Sequence, residues 1–155
     1  MEIRKARIEE AAAAADVIRR SITELCAPDY RGDARVLERW LANKTEANLR
    51  RWIEAPDGAV VVAVSDDGRL AAVGMLRHDG EILLNYVDPA ARFKGFSKAL
   101  LQHMEVLLRQ RGCGRAVLYS STVARGLYLS SGYVAGAEVE SSFGTLPAVE
   151  MTKLL

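Results

Sequence analysis

The sequence is poor in the residues that most often announce a function. Its 155 residues include two cysteines, Cys26 and Cys113, and two histidines, His78 and His103. Neither type has metal-ligand or CxxC spacing, so no metal site and no disulfide-exchange chemistry are expected. Both thiols read as free, as in a reducing, cytoplasmic setting. The sequence offers Cys26 no histidine partner, and it reads as a small buried hydrophobe. No run reaches the roughly 18 apolar residues of a membrane span. Residues 11–15 are too short and weakly apolar for a signal peptide. An excess of one charge is lacking too. The chain has 21 Lys and Arg against 20 Asp and Glu, a formal net charge of +1. Interspersed charges of both signs exclude the basic face of a nucleic-acid binder, so neither nucleic acid nor membrane is expected as a partner. Repeats and linkers are absent, and residues 1–155 read as one domain with a proper core.

What is present is strongly periodic. Residues 2–7 read as a strand and 8–25 as an amphipathic helix with Val17, Ile18, Ile22 and Leu25 inward. Residues 27–32 break it, and Asp33 and Thr45 are placed to cap two further helices. Those helices carry Trp40 and Trp52, which read as core anchors. Residues 59–65, 69–77 and 81–87 are rich in Val, Leu and Ile, and Asp67-Gly68 and Asp79-Gly80 mark tight hairpins between them. A helix over 92–110 stops at Gly112 and Gly114. The strand at 116–120 then runs parallel to 81–87, because a helix joins the two. A helix over about 123–131 ends at Gly132, and strands 133–140 and 148–154 form a last hairpin around 141–147.

The densest signal lies where the strand ending at Val87 meets the helix. Val87-Asp88-Pro89 halts the strand, and Arg92-Phe93-Lys94-Gly95-Phe96-Ser97-Lys98 opens the helix. Helix starts carry unpaired N–H groups and positive partial charge, so they favour anionic side chains. Here Arg92, Lys94 and Lys98 crowd that end instead. A phosphate-bearing ligand on the helix N-terminus would relieve the mismatch.

Strand, helices, three-strand meander, helix, strand, helix, hairpin is also the element order of the GNAT acetyltransferase family, which the chain resembles over nearly its whole length. Arg92-Phe93-Lys94-Gly95-Phe96-Ser97 resembles the family's acetyl-CoA signature, Arg/Gln-x-x-Gly-x-Gly/Ala. The resemblance implies that amides from Phe93 to Lys98 cradle the pyrophosphate, with Arg92, Lys94 and Lys98 adding charge. Phe93 stands where many members have glycine, and Ser97 fills the last small position. Phe93 enters positive φ less cheaply than glycine, so a local difference in the turn is expected. Ala124-Arg125-Gly126-Leu127-Tyr128 through Gly132-Tyr133 resembles the family's later motif. It places Tyr128 as general acid for the departing thiolate. Ser121 stands where many relatives carry an asparagine that helps hold cofactor or water.

The resemblance implies an α/β (α+β) GNAT fold, a mixed, mostly antiparallel sheet of about seven strands flanked by four to five helices. One parallel strand pair is splayed, and the pantetheine arm of acetyl-CoA adds to the strand carrying Tyr86 and Val87. A primary amine attacks the acetyl carbonyl directly, and a backbone N–H near Tyr86 and Val87 meets the oxyanion. Glu24, Asp29 and Glu81 are candidate general bases. Residues 21–35 and 141–147 would shape the acceptor site. A small or amino-acid-like amine is expected first and a peptide amine second, with an aminoglycoside third because residues 21–35 are mixed in charge and lack a dense acidic cluster for a polycation. A non-catalytic acyl-CoA-binding sensor shares the cofactor signature and is the alternative. Pairing of the terminal strand could make a homodimer.

Overall fold

Each expected element forms close to its expected place. The computed structural model of the chain describes residues 1–141 and 147–155. Strand β1 (Glu2–Lys5) and a 3-10 turn (Ile8–Glu10) lead into α1 (Ala11–Leu25) and the single turn α2 (Ala27–Tyr30). Arg31 adopts a left-handed φ of 51° and ends α2. Helices α3 (Ala34–Leu41) and α4 (Glu46–Glu54) follow. Asp33 accepts from Arg35 N and Val36 N, and Thr45 Oγ1 accepts from Asn48 N, so both expected caps form. Strands β2 (Gly58–Val64), β3 (Leu70–Arg77) and β4 (Ile82–Val87) make the meander. Helix α5 (Phe96–Gln110), β5 (Arg115–Ser120), α6 (Arg125–Ser130), β6 (Val134–Val139) and β7 (Ala148–Leu154) complete the order.

Helix α5 starts at Phe96, not at the expected residue 92. Phe93 and Gly95 hold φ of 64° and 84°, outside the right-handed helical region. A 3-10 turn at Pro89–Ala91 fills part of the gap. The expected loop at 141–147 lies largely outside the described residues, which exclude 142–146.

The strands form two antiparallel sheets, ordered β1-β2-β3-β4 and β5-β7-β6. Every residue of β2 is buried, because both faces are covered. Val61 and Ala63 pack with Leu100, Leu101 and Met104 of α5. Val60 and Val62 pack with Val17, Ile18 and Ile22 of α1. Gly74 lets α5 approach closely, since a Cβ there would meet Met104 Sδ at 2.8 Å. Behind the second sheet, buried Glu105 accepts from Tyr133 Oη at 2.8 Å and from Lys153 Nζ at 3.0 Å, tying α5 to the last hairpin.

Strands β4 and β5 run parallel, as expected, but the contact between the sheets is brief. A single parallel bridge joins Glu81 to Val117, and Val117 N donates to Gly80 O at 3.0 Å. Beyond it the strands part. This splay positions the site.

Candidate active site

Where β4 and β5 separate, a cleft of about 930 Å³ opens around the free edge of β4. Asp88 N donates to Ala71 O at 2.8 Å, on the β3 side. Strand alternation therefore turns the Tyr86 backbone toward β3, and the Val87 and Asn85 backbones toward the open edge. The expectation is that backbone groups of both Tyr86 and Val87 meet the cofactor arm. For Tyr86 it is corrected, because that residue reaches the cleft by its side chain. Its hydroxyl accepts from Trp40 Nε1 at 3.2 Å, and burial pushes its pKa upward.

The basic turn is held from behind. Asp88 accepts from Ala90 N at 2.8 Å, capping the 3-10 turn. Arg20 of α1 grips the same carboxylate through two bonds, of 3.1 and 2.6 Å. Burial works against the charged form, yet the Arg20 and Ala90 donors hold the Asp88 carboxyl below its usual range. The turn thus rests on α1 as well as on its own chain.

Arg92, Phe93, Gly95, Phe96, Ser97 and Lys98 all border the cleft, whereas Lys94 does not. The first-turn amides of α5 have no side-chain cap, because Gly95 precedes them. Phe93 enters positive φ despite its higher cost than glycine, and is 89% exposed. The Arg92 guanidinium sits 4.4 Å from its ring centroid. Left-handed backbone costs a non-glycine residue roughly 1–2 kcal/mol. Phe93→Gly should therefore melt above Phe93→Ala, by about 1 kcal/mol of stability, since both lose the ring and only glycine escapes the strain. Equal melting of the two variants would show that the turn is unstrained.

On the α5 face of β4, Tyr128 is 6% exposed and borders the cleft. Its ring packs edge-on against Tyr133 at 5.7 Å. Burial pushes its pKa up to about 12, with the Asn85 amide pulling the other way. The phenol is thus protonated at neutral pH and available as a proton donor. Asn85 lies against it, but neither Oδ1 nor Nδ2 makes a hydrogen bond of ordinary geometry among the described residues. Buried orphan amide atoms are costly unless a ligand meets them. Ser121 borders the cleft as well, on the segment that leads into α6.

The three candidate bases separate. Glu24 is exposed and stands outside the cleft lining. Asp29 is 2% exposed and structural, accepting from Thr122 N at 2.7 Å and Val123 N at 3.4 Å. Glu81 borders the cleft and pairs with Arg77 at 2.9 Å. Cys26 borders it too, but burial raises its thiol to about 12, so no thiolate forms at neutral pH. Among the described residues, no group of three or more His, Cys, Asp or Glu side chains could hold a metal ion. No helix of the described residues is long and apolar enough to cross a membrane.

The other wall differs from the expected one. Of residues 21–35, Ser21, Leu25 and Cys26 border the cleft, and the rest of that wall comes from Arg39, Trp40, Asn43, Lys44 and Trp52. Sequence reading missed Asn85 and Lys44. Asn85 had a signal, an amide in the middle of an apolar strand where Asn is depleted. Lys44 had none, since a lone lysine between helices reads as solvated.

The acetyltransferase (GNAT) domain family matches residues 26–155, and the chain belongs to it. A GCN5-related N-acetyltransferase from Rhodopseudomonas palustris is 25% identical, with 99% of this chain and 95% of that one covered at a TM-score of 0.86. The PaiA N-acetyltransferase of Thermoplasma acidophilum, solved with coenzyme A, is 23% identical over 99% and 98% of the two chains, with a TM-score of 0.82. YncA of Salmonella typhimurium, solved with acetyl-CoA, is 20% identical over 99% and 93%, with a TM-score of 0.75. The likeness to the last two is one of fold. No curated protein matches the chain.

Proposed function

We propose that residues 1–155 act as one domain that transfers an acetyl group from acetyl-CoA to a primary amine on a small, amino-acid-like acceptor. One observation carries this reading. The unpaired edge of β4 runs into an uncapped, cationic helix start within a single cleft, with a protonated tyrosine beside it. An extended arm ending in phosphates has this shape and charge.

The roles follow from position. Amides of Phe96, Ser97 and Lys98 hold phosphate oxygens, and Arg92 and Lys98 add charge. Lys94, outside the lining, contributes only at longer range. Backbone groups of Val87 and Asn85 pair with the arm, and the orphan amide of Asn85 meets its polar atoms. Acetyl-CoA supplies an activated acetyl group and a thiol leaving group. Tyr128 donates a proton to that departing thiolate. Glu24 takes no part.

Melting with acetyl-CoA, CoA and ATP tests the cofactor assignment. At about 100-fold excess over the dissociation constant, a ligand adds roughly 2.7 kcal/mol. At about 2–4 °C per kcal/mol, both CoA species should raise the midpoint by roughly 5–11 °C, and ATP should not. No rise with either would reject the reading. Thiol release with an amine panel separates enzyme from sensor, since a sensor gives no release above blank.

A further inference from the structure

The α3–α4 wall of the cleft holds a buried positive charge that, among the described residues, no carboxylate pairs with. Lys44 follows α3, borders the cleft and is 8% exposed. Its Nζ donates to Asn43 Oδ1 at 2.6 Å, a neutral amide. Among the described residues no carboxylate pairs with it, and burial alone shifts its pKa. The position is fixed, because Arg19 of α1 donates to Leu41 O at 2.8 Å and Lys44 O at 3.2 Å. Buried ammonium groups are costly and are ordinarily paired. Its pKa falls only to about 8, so the cation persists at neutral pH without a counter-charge. Arg39 borders the same wall, whereas Arg77 lines the cleft from the end of β3 and engages Glu81, and Glu140 lines it just beyond β6. Among the described residues, the α3–α4 wall contributes Arg39 and Lys44 to the lining and no carboxylate, so it is net positive.

We propose that Lys44 determines acceptor specificity by binding a carboxylate carried by the acceptor amine. The inference rests on the acetyltransferase reading above and narrows its substrate class. An amino acid brings a nucleophilic amine and an anion on one small framework. Its carboxylate would supply the charge that Asn43 cannot. A polyamine would set like charges against Lys44 and Arg39, which disfavours it.

The test is acetylation of a panel of L-amino acids, their α-carboxamides and O-phosphoethanolamine by the wild-type chain and by Lys44→Met, which keeps most of the stem. Wild type should favour at least one amino acid over its carboxamide by tenfold or more in kcat/KM. Lys44→Met should bring the pair within about threefold, mainly through KM. Without acceptor, Lys44→Met should also melt above wild type, because an unpaired buried charge is gone. Equal rates for acid and carboxamide, or an unchanged preference in Lys44→Met, overturn the proposal. So does better turnover of O-phosphoethanolamine, which would make the anion a phosphate. If no member is acetylated while acetyl-CoA still raises the midpoint, the acceptor class is wrong and the cofactor reading stands. Loss of the acetyl-CoA shift itself would remove both.

Discussion

Tyr128→Phe should lower kcat by about 100- to 1,000-fold, within the range for loss of a positioned general acid. The ring remains, so packing against Tyr133 and the shape of the cleft persist. The KM for acetyl-CoA should stay within about threefold, because the proposed pyrophosphate cradle is on α5 and not on α6. A second substrate sharpens the test. An acetyl thioester of an acidic aryl thiol needs no proton on departure, so Tyr128→Phe should recover most of its rate with it. The wild-type pH profile carries a further mark. With its pKa pushed up to about 12, Tyr128 stays protonated below that pH, and a basic limb near pH 8 or 9 must belong to another group. Unchanged turnover with acetyl-CoA in the variant would remove Tyr128 from the mechanism.

Asp29→Ala should cost about 3 kcal/mol, the upper range for hydrogen bonds to a charged acceptor, since the Asp29 carboxylate that accepts both bonds is itself buried. The Asp29 carboxylate reaches from α2 to Thr122 N and Val123 N, a link spanning 93 residues of sequence. At about 2–4 °C per kcal/mol, the melting midpoint should fall by roughly 6–12 °C. The same bonds hold the segment between Ser121 and α6, so acetyl-CoA affinity should weaken as well. Asp29→Asn keeps one acceptor oxygen and should recover about half of the loss. A change under about 0.5 kcal/mol in Asp29→Ala would show that the two amides find other partners.

Local signals in the chain had local causes and were readable. Asp33 and Thr45 cap their helices with their own side chains, and Gly68 and Gly80 take the positive φ that their hairpins require. The cofactor signature was legible for the same reason, since turn, cations and helix start are contiguous. The start of α5 was not, because the left-handed Phe93 is set by the fold of the turn against α1. Asp29 read as a candidate base rather than a structural link, since its partners are distant in sequence. Lys44 gave no sign of burial, because what covers it is the packing of α3 and α4 against α1. Long-range packing made these features, and a one-dimensional pattern does not carry it.

The lone bridge between Glu81 and Val117 gives the cleft a mechanical character. A full ladder would lock the two sheets at one angle, whereas a single bridge acts as a pivot. From that point β4 extends about 20 Å to its end at Val87, at roughly 3.3 Å per residue. A rotation of about 5° at the pivot therefore moves the mouth by nearly 2 Å over that lever length. Neither sheet need surrender a rung of its own ladder for this to happen. A change of that size would widen the mouth for a long donor, while the Glu81–Val117 bridge keeps the two strands in register at the base.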